Sequence, residues 1–299
     1  MIYSRSIGDA RVHNVIEYIG PTHSAEFVFP QLDLRELQKH LHWLAPHHYV
    51  PHMQRFVIAM QIWVVHAGGN VIVIDCGVGN HKRRAAERMN MLNGLTPLWL
   101  AAAGATAESV THVVTTHFHS DHVGWNTHLV DGRWEPMFPN ARYLVPKIDF
   151  DAALADYERG QPNVMFGSFE DSVFPVYKAG LIDFVDGAKE VAGCLAVELM
   201  PGHTMGSLHY RLRSGGEEGV FGGDVMHSAL QIAMPHLNSW IDCHADHARA
   251  SRALFLKRAA ERNSLIMPAH FGWPHCGFVR GDSEHGYHFE PAEPGPRDT

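Results

Sequence analysis

A short run of metal-binding side chains is the most informative feature of the sequence: His117-Phe118-His119-Ser120-Asp121-His122. Alternate side chains of an extended segment point the same way, so His117 and His119 can bind one ion while Asp121 and His122 turn towards a neighbouring ion. Imidazole and carboxylate groups are ligands that Zn²⁺ accepts readily, and a catalytic zinc keeps one position free for water. The run therefore predicts metal-dependent chemistry.

Three further candidate ligands follow, each at the end of an apolar run. They are His203 in Pro-Gly-His-Thr, Asp224 in Gly-Gly-Asp, and His270 in Pro-Ala-His-Phe. Together with the first motif they supply five imidazoles and two carboxylates, enough for two metal ions with open coordination positions. A carboxylate from Asp224 can bridge two ions about 3.5–4 Å apart, and such a pair supplies hydroxide at neutral pH by lowering the pKa of a bridging water.

The elements that must position these ligands are mostly short strands. Apolar runs predict strands, helical stretches are fewer, and Ala67-Gly68-Gly69-Asn70 predicts a hairpin between two strands. Each candidate ligand lies at or just beyond the carboxyl end of a strand, so we expect two packed sheets with helices outside and the site in their loops. Strands are predicted over 11–19, 56–66, 71–75, 110–115, 141–145, 182–185, 195–200, 208–212, 220–221, 265–267, 278–280 and 287–289, and helices over 32–44, 105–109, 149–159 and 244–262.

The bulk properties are typical of a soluble globular protein with a sizeable core. With 299 residues, 45% apolar and 19% charged, the chain is interpreted as one domain over 1–299, with 290–299 a frayed Pro/Gly-rich tail. A net charge of −8 and the absence of a Lys/Arg block argue against a nucleic-acid partner. No signal peptide or membrane-spanning run is evident. Four scattered cysteines predict free buried thiols in a reducing cytoplasm.

Histidine is unusually abundant, with 24 in the chain. A cluster between residues 40 and 52 admits two interpretations, a solvated loop or a second metal site, and we favour the loop. Its members are His40, His42, His47, His48 and His52.

The motifs resemble those of the metallo-β-lactamase-fold hydrolase superfamily over most of the chain. The resemblance implies an α/β (α+β) fold, a four-layer αββα sandwich with a dinuclear metal centre at one edge. Asp75, in a run that resembles the family's second buried strand, would support the metal loop or be a plain turn carboxylate. The resemblance assigns His117, His119 and His203 to the first metal, Asp121, His122 and His270 to the second, and Asp224 to both as a bridge.

Within the superfamily, the C-terminal part is most similar to methyl parathion hydrolase and quorum-quenching lactonases. Residues 221–227, 266–270 and 277–280 carry this resemblance. Acyl-homoserine lactonases typically have a tyrosine three residues after the bridging aspartate, where this chain has His227. That departure argues against a homoserine lactone substrate without excluding other lactones. The relatives also imply a homodimer.

The expected function is hydrolysis of a small-molecule lactone or aryl/alkyl ester by a metal-bridging hydroxide, with promiscuous phosphotriesterase activity. Two divalent ions are the implied cofactors, zinc first, with manganese, cobalt or iron open. His227 is the candidate donor to the oxyanion, the alternative being a packed histidine, and Asp121 or Asp224 would pass a proton to the leaving alkoxide. Three hydroxyl residues either orient metal ligands or cap loops: Thr116, Ser120 and Thr204.

Substrate contacts are the least constrained part of the prediction. Segment 89–100 is interpreted as a lid or a dimer contact. Other reactions remain open on the same fold: cleavage of a thioester, a β-lactam or an aromatic carbon–halogen bond. A mononuclear iron enzyme similar to persulfide dioxygenases is a further alternative. The alternative from another class is a non-catalytic binding protein. Large apolar residues that either line a pocket or belong to the core are Trp63, Met91, Leu92, Leu95, Trp99, Phe166, Trp240, Phe271 and Trp273.

Overall fold

The computed structural model of the protein describes residues 1–293, and its first large sheet has eight strands. Their order is β1-β2-β4-β5-β6-β9-β10, with β3 paired to β4. Strands β5, β6, β9 and β10 run parallel, so their carboxyl ends meet at one edge. The strands are β1 (Ile2–Ile7), β2 (Ala10–Ser24), β3 (Tyr49–Val50), β4 (Arg55–Ala67), β5 (Asn70–Ile74), β6 (His112–Val114), β9 (Arg142–Pro146) and β10 (Ile182–Val185).

The second large sheet has seven strands in chain order, and only β14 and β15 are parallel. A separate two-stranded hairpin, β7 (Thr127–Val130) and β8 (Arg133–Pro136), follows the first metal-binding motif. The strands of the second sheet are β11 (Lys189–Val191), β12 (Leu195–Leu199), β13 (Leu208–Ser214), β14 (Glu217–Phe221), β15 (Leu265–Met267), β16 (Gly277–Asp282) and β17 (Gly286–Pro291).

Among residues 1–293, seven α-helices connect the strands. The longest begins after His244, with Asp246 in its first turn and Arg262 in its last, as the helix dipole favours. The helices are α1 (Ala25–Val28), α2 (Leu34–Leu44), α3 (Thr96–Ala102), α4 (Lys147–Glu158), α5 (Phe174–Lys178), α6 (Leu230–Ala233) and α7 (Ala245–Arg262).

Period-two alternation in the strands divides the core into layers. In β5, Ile72 and Ile74 face the second sheet, whereas Val73 faces the opposite way, towards α3 and α4. In β15, Leu265 and Met267 face the first sheet and Ile266 faces α7. Helices α3, α4 and α5 thus cover the outer face of the first sheet, and α1, α2, α6 and α7 cover that of the second. The predicted αββα sandwich is confirmed.

Every predicted strand is present within a few residues, and the 67–70 hairpin is confirmed by the pairing of Ala67 with Asn70. Strands β1, β3, β7, β8 and β11 and helices α1, α3, α5 and α6 were not predicted, because most are too short to show a period. The predicted helix over 105–109 is wrong. Thr106 and Ser109 exchange side-chain-to-backbone hydrogen bonds of 2.8 and 3.2 Å, which close a turn and compete with a helix.

The predicted frayed tail over 290–299 falls mostly beyond the described residues. Glu290 and Pro291 pair with β16, and residues 294–299 lie outside the part of the chain that the structure describes.

The histidine cluster and the cysteines differ in part from expectation. His47 and His52 are exposed, and His40 and His42 lie on α2. His48 is instead buried edge-on against Phe271 and Phe289, and burial lowers its pKa to about 3.

All four cysteines are free, as predicted, but only Cys76 and Cys276 are buried. Within residues 1–293, no helix is both long and apolar enough to cross a bilayer.

Candidate metal centre

The seven predicted ligands meet where the carboxyl ends of strands from both sheets approach one another. Residues 117–122 follow β6, His203 lies between β12 and β13, Asp224 follows β14, and His270 follows β15. Ligand atoms of His117, His119, His203 and Asp224 lie within 4.8 Å of one another, and so do those of Asp121, His122 and His270. Residues spread over about half the chain therefore form one compact cluster.

Gly223 explains part of the Gly-Gly-Asp motif. It adopts a φ of +49°, and a Cβ there would lie 2.8 Å from Cβ of Thr116. Only glycine allows this backbone to pass so close to the first metal-binding motif. The glycine thus lets Asp224 reach the histidines that follow Thr116.

One group of nitrogen atoms faces Oδ2 of Asp224. His203 Nε2 lies 3.2 Å from this oxygen and His117 Nε2 lies 3.8 Å from it. The same His203 nitrogen is 3.2 Å from His117 Nε2 and 2.9 Å from His119 Nδ1. These are the residues that the family resemblance assigned to the first ion.

A second group faces Oδ1, the other oxygen of Asp224. His270 Nε2 lies 3.0 Å and His122 Nε2 lies 3.3 Å from Oδ1. The carboxylate of Asp121 is 3.8 Å from each of these two histidines. Asp224 therefore stands between two sets of ligands and offers one oxygen to each.

Hydrogen bonds at Nδ1 fix which nitrogen of three histidine rings faces the centre of the cluster. Asp75 accepts a hydrogen bond from Nδ1 of His122 at 2.8 Å, Asp242 accepts one from Nδ1 of His203 at 3.1 Å, and the Ala59 carbonyl accepts one from Nδ1 of His270 at 2.8 Å. When unprotonated, each of these rings points an Nε2 lone pair at the other nitrogens or at Asp224. Lone pairs and a carboxylate at about 3 Å attract one another only through a shared proton or a cation.

Two orphaned buried atoms support the same conclusion. His122 Nε2 and Asp224 Oδ1 are both buried and have no hydrogen-bond partner. Buried polar atoms without partners are rare and costly, because they lose water without gaining a bond. The donor set, imidazole and carboxylate, is the one that divalent zinc accepts.

The charges around the cluster favour a positive charge at its centre. Burial lowers the pKa of His117 and His119 well below the usual value, so both rings are neutral. Burial would raise the pKa of Asp224, but His270, His122 and His203 around it hold that pKa well below the usual value. Burial also opposes a proton on His122, yet the carboxylates of Asp224, Asp121 and Asp75 raise its pKa well above the usual value. Positive charge is thus strongly favoured between His122 and Asp224.

Asp75 stabilises the metal-binding loop and is not merely a turn residue. It adopts a φ of +52°, and its carboxylate accepts hydrogen bonds from the backbone N–H and the hydroxyl of Thr116, both at 2.8 Å, besides that from His122. Thr116 Oγ1 in turn lies 3.1 Å from Nδ1 of His117. Partners of this kind fix the orientation of metal-binding histidines.

Two carboxylates that sequence reasoning missed hold the His203 loop. Asp242 contacts Nδ1 of His203 and, at 3.4 Å, Nη2 of the fully buried Arg252. Asp149 accepts hydrogen bonds from the Thr204 hydroxyl at 2.6 Å and from the Gly206 N–H at 2.7 Å. Thr204 therefore caps its own loop. A metal-bound histidine usually needs a hydrogen-bond partner for its second ring nitrogen, so such a carboxylate could be expected. The sequence around Asp242 and Asp149 does not identify either residue as that partner.

His227 lies beside both groups of ligands. Its Nε2 is 3.2 Å from Asp224 Oδ2, its ring stacks on that of His270 with centroids 5.5 Å apart, and neither ring nitrogen has a hydrogen-bond partner. The His227 backbone N–H donates to Gln231 at 2.7 Å. The side chain thus lines the cavity, with its Nε2 beside the Asp224 carboxylate.

A cavity of about 280 Å³ opens over the cluster. Of the nine large apolar residues proposed for a pocket, Phe166 and Trp240 line it, and Phe166 lies over His119 with ring centroids 5.3 Å apart. The other seven do not line it: Trp63 and Phe271 are core residues, and the rest lie elsewhere, on or near the surface. Of segment 89–100, only Met89 lines the cavity. The full lining is Thr22, His23, Val28, Ile58, Met60, Arg84, Ala85, Ala86, Arg88, Met89, His119, Ser120, Asp121, Phe166, Asp224, His227, Ser239, Trp240, Ile241 and His270.

Comparison with known families gives one match. The model of the family described as the metallo-beta-lactamase superfamily matches residues 57–270, a range that contains all seven candidate ligands. No curated protein matches the sequence.

Solved structures share the fold over nearly the whole chain. AidC, a dizinc quorum-quenching lactonase in complex with the product N-hexanoyl-L-homoserine, is 23% identical with a TM-score of 0.77, covering 98% of this chain and 97% of its own. The hydrolase AbOPH is 22% identical with a TM-score of 0.81, covering 99% and 98%. A probable metal-dependent hydrolase from Staphylococcus aureus is 15% identical with a TM-score of 0.76, covering 99% of both chains. Likeness at these identities shows a common fold.

Proposed function

The chain belongs to the metallo-beta-lactamase superfamily, and we propose that it is a dinuclear metal-dependent hydrolase of a small lactone or an aryl/alkyl ester. The observation that carries the proposal is the position of Asp224, whose two oxygens face two separate sets of imidazole nitrogens at 3.0–3.8 Å. A single ion would leave one of these sets without a partner.

We propose zinc as the metal at both positions, with manganese, cobalt or iron as substitutes. His117, His119 and His203 would hold one ion, Asp121, His122 and His270 the other, and Asp224 both. When bound, such a pair lowers the pKa of water and polarises the oxygen of an ester carbonyl.

The chain's own residues supply binding and proton transfer. His227, which lines the cavity and whose ring nitrogens have no hydrogen-bond partner, would donate a hydrogen bond to the developing oxyanion. Asp121 or Asp224 would carry a proton to the leaving alkoxide; a phenolate would leave without it. The apolar walls, among them Phe166 and Trp240, would hold the acyl or aryl part of the substrate and exclude water.

Lactones and aryl esters are the substrates to test first, with phosphotriesters as promiscuous ones. The structural neighbours include AidC, whose reaction as a lactonase suits a carbonyl placed over two cations. His227, in the position of the tyrosine found in acyl-homoserine lactonases, argues for a lactone other than a homoserine lactone.

Location, partners and oligomeric state complete the proposal. We propose a cytoplasmic enzyme with no nucleic-acid partner, in keeping with four free cysteines and a net charge of −8. We propose a homodimer, supported by apolar side chains exposed on and before α3, namely Met91 (50%), Leu95 (59%) and Leu98 (65%). Light scattering of the purified protein would test the dimer.

Hydrolysis of a δ-lactone, an aryl ester and methyl parathion, before and after chelation, tests the proposed reaction. We expect turnover of the lactone or the ester that is lost on chelation and returns with zinc. His117→Ala and Asp224→Ala should abolish it, whereas His236→Ala, at an exposed site outside the cavity, should not. Full activity in either ligand variant, or turnover insensitive to chelation, would refute the proposal.

A further inference from the structure

The cavity over the metal centre contains a cation that no carboxylate neutralises. Arg88 lines the cavity, and its Nη1 lies 2.9 Å from Nε2 of His23. Among residues 1–293, no Asp or Glu lies within ion-pair distance of Arg88. The charge therefore remains available to a ligand.

The partner of Arg88 is a neutral ring. A guanidinium only donates, so His23 Nε2 must accept, and burial together with Arg88 and Arg55 lowers the pKa of His23 to about 4. Nδ1 of His23 then donates to the Thr22 hydroxyl at 3.0 Å. The contact orients the guanidinium without cancelling its charge.

Aromatic packing fixes this arrangement in the cavity wall. The His23 ring stacks on the Phe27 ring, with centroids 4.7 Å apart and an angle of 9° between the planes. The Phe27 ring in turn packs against the Trp240 ring, with centroids 4.9 Å apart. Trp240 itself lines the cavity. Arg88 is thus held in advance of binding, which reduces the entropy lost when a ligand is bound.

The other charged residues of the lining already have partners or proposed roles. Arg84 forms hydrogen bonds of 2.7 and 2.9 Å to the two oxygens of Asp171. Asp121 and Asp224 are the carboxylates assigned to the metals. Once cations occupy that centre, the cavity offers one unpaired positive side chain, an apolar wall and a carbonyl-polarising site.

We propose that Arg88 binds a carboxylate at the non-reacting end of the substrate, so that the preferred substrates are half-esters of dicarboxylic acids. This inference rests on the proposed function. Water adds its OH to the acyl carbon and its proton to the leaving alkoxide or phenolate as the ester C–O bond breaks, and the distal carboxylate is unchanged. The apolar chain between the two ends lies against Val28, Ile58 and Met89, which also line the cavity.

Equilibrium binding tests the inference without catalysis. Adipate and hexanoate have the same chain length and differ in one terminal carboxylate, and their affinities for the zinc-loaded protein can be compared by calorimetry. We expect adipate to bind about tenfold more tightly, the effect of one charge-assisted hydrogen bond to a partly exposed cation. Arg88→Gln should remove the difference and Arg88→Lys should retain most of it. Arg83→Gln, at an exposed neighbouring site outside the lining, should leave it unchanged.

Equal affinity of wild type for the two acids, or a preference that survives Arg88→Gln, would overturn the inference. Kinetics separate it from the proposed function: mono-4-nitrophenyl adipate should exceed 4-nitrophenyl hexanoate in kcat/KM, with the excess lost in Arg88→Gln. Hydrolysis of both esters at equal rates would contradict the role of Arg88 and leave the hydrolase standing. No hydrolysis of either, with adipate still preferred in binding, would contradict the hydrolase and leave the carboxylate subsite standing.

Discussion

Asp75 accepts a hydrogen bond from Nδ1 of His122 at 2.8 Å, and this bond decides which nitrogen of His122 faces Asp224. The same carboxylate binds the backbone and the hydroxyl of Thr116, at the start of the metal-binding motif. A residue directly after β5 thereby fixes a side chain in the loop that follows β6. The parallel pairing of those two strands places them side by side.

Asp75→Asn should weaken metal binding while leaving every proposed ligand in place. An amide is a poorer acceptor for His122 and one of its two terminal atoms is a donor, so the ring loses its fixed orientation. We expect the zinc affinity to fall by about 10- to 100-fold. Titration against a competing chelator measures this, with Asp186→Asn, at an exposed site, as the control. Unchanged zinc affinity in Asp75→Asn would show that Asp75 is only a turn residue and does not support the metal-binding loop.

His227→Asn separates a donor role from a packing role. If the ring stabilises the oxyanion, kcat should fall by about 10²- to 10³-fold, while metal content and the free energy of unfolding change little. Steady-state kinetics, elemental analysis and urea unfolding on the same preparation provide the three readouts. Loss of stability with an unchanged kcat would identify His227 as a packed histidine.

Arg252→Met should destabilise the fold strongly. Arg252 is fully buried, and its guanidinium donates to carbonyls of Val225, Pro235 and Leu237 besides contacting Asp242. Removing it leaves Asp242 buried without its cation, which costs about 3–5 kcal/mol of unfolding free energy. Urea unfolding measures the loss.

The control for that measurement lies one turn earlier on α7. Arg249 pairs with the exposed Asp246, so Arg249→Met should change stability by only about 0.5 kcal/mol. Similar effects of the two substitutions would show that the buried network around Arg252 contributes little.

Acid should weaken the fold partly through Glu198. His209, Arg258 and Arg211 beside its carboxylate lower the pKa of Glu198 from 4.5 to about 2. Since the folded-state pKa is depressed, this group contributes stability that is present above pH 4.5 and is lost as the pH falls towards 2. Urea unfolding between pH 6 and 2 should show a smaller decline for Glu198→Gln than for wild type. Parallel declines would contradict this contribution.

The candidate ligands were predictable because each follows an apolar run with a distinctive neighbour. Gly223 before Asp224 is an example, since its left-handed backbone is needed where the chain passes Thr116. The layered fold followed from many strands with few helices. Five strands escaped prediction, among them β3 with two residues and β11 with three, because such segments are too short to display alternation.

The cavity could not be predicted in the same way. Its wall joins His23 at the end of β2, Arg88 before α3, Phe166 after α4 and Trp240 before α7, and only the folded chain brings these together. Large side chains chosen for their apolar character, such as Trp63 and Phe271, instead filled the core. Asp242 was missed because its role depends on the spatial proximity of His203, 39 residues earlier in the chain.

Metal content per chain, measured by elemental analysis of the purified wild type beside Asp224→Ala, tests the central claim most directly. The position of Asp224 between two sets of imidazole nitrogens predicts two divalent ions, zinc foremost, in the wild type and a clear loss in the variant. One iron per chain would contradict the dinuclear centre and favour an oxygenase-like enzyme. A metal-free wild type that takes up no added zinc would refute the account.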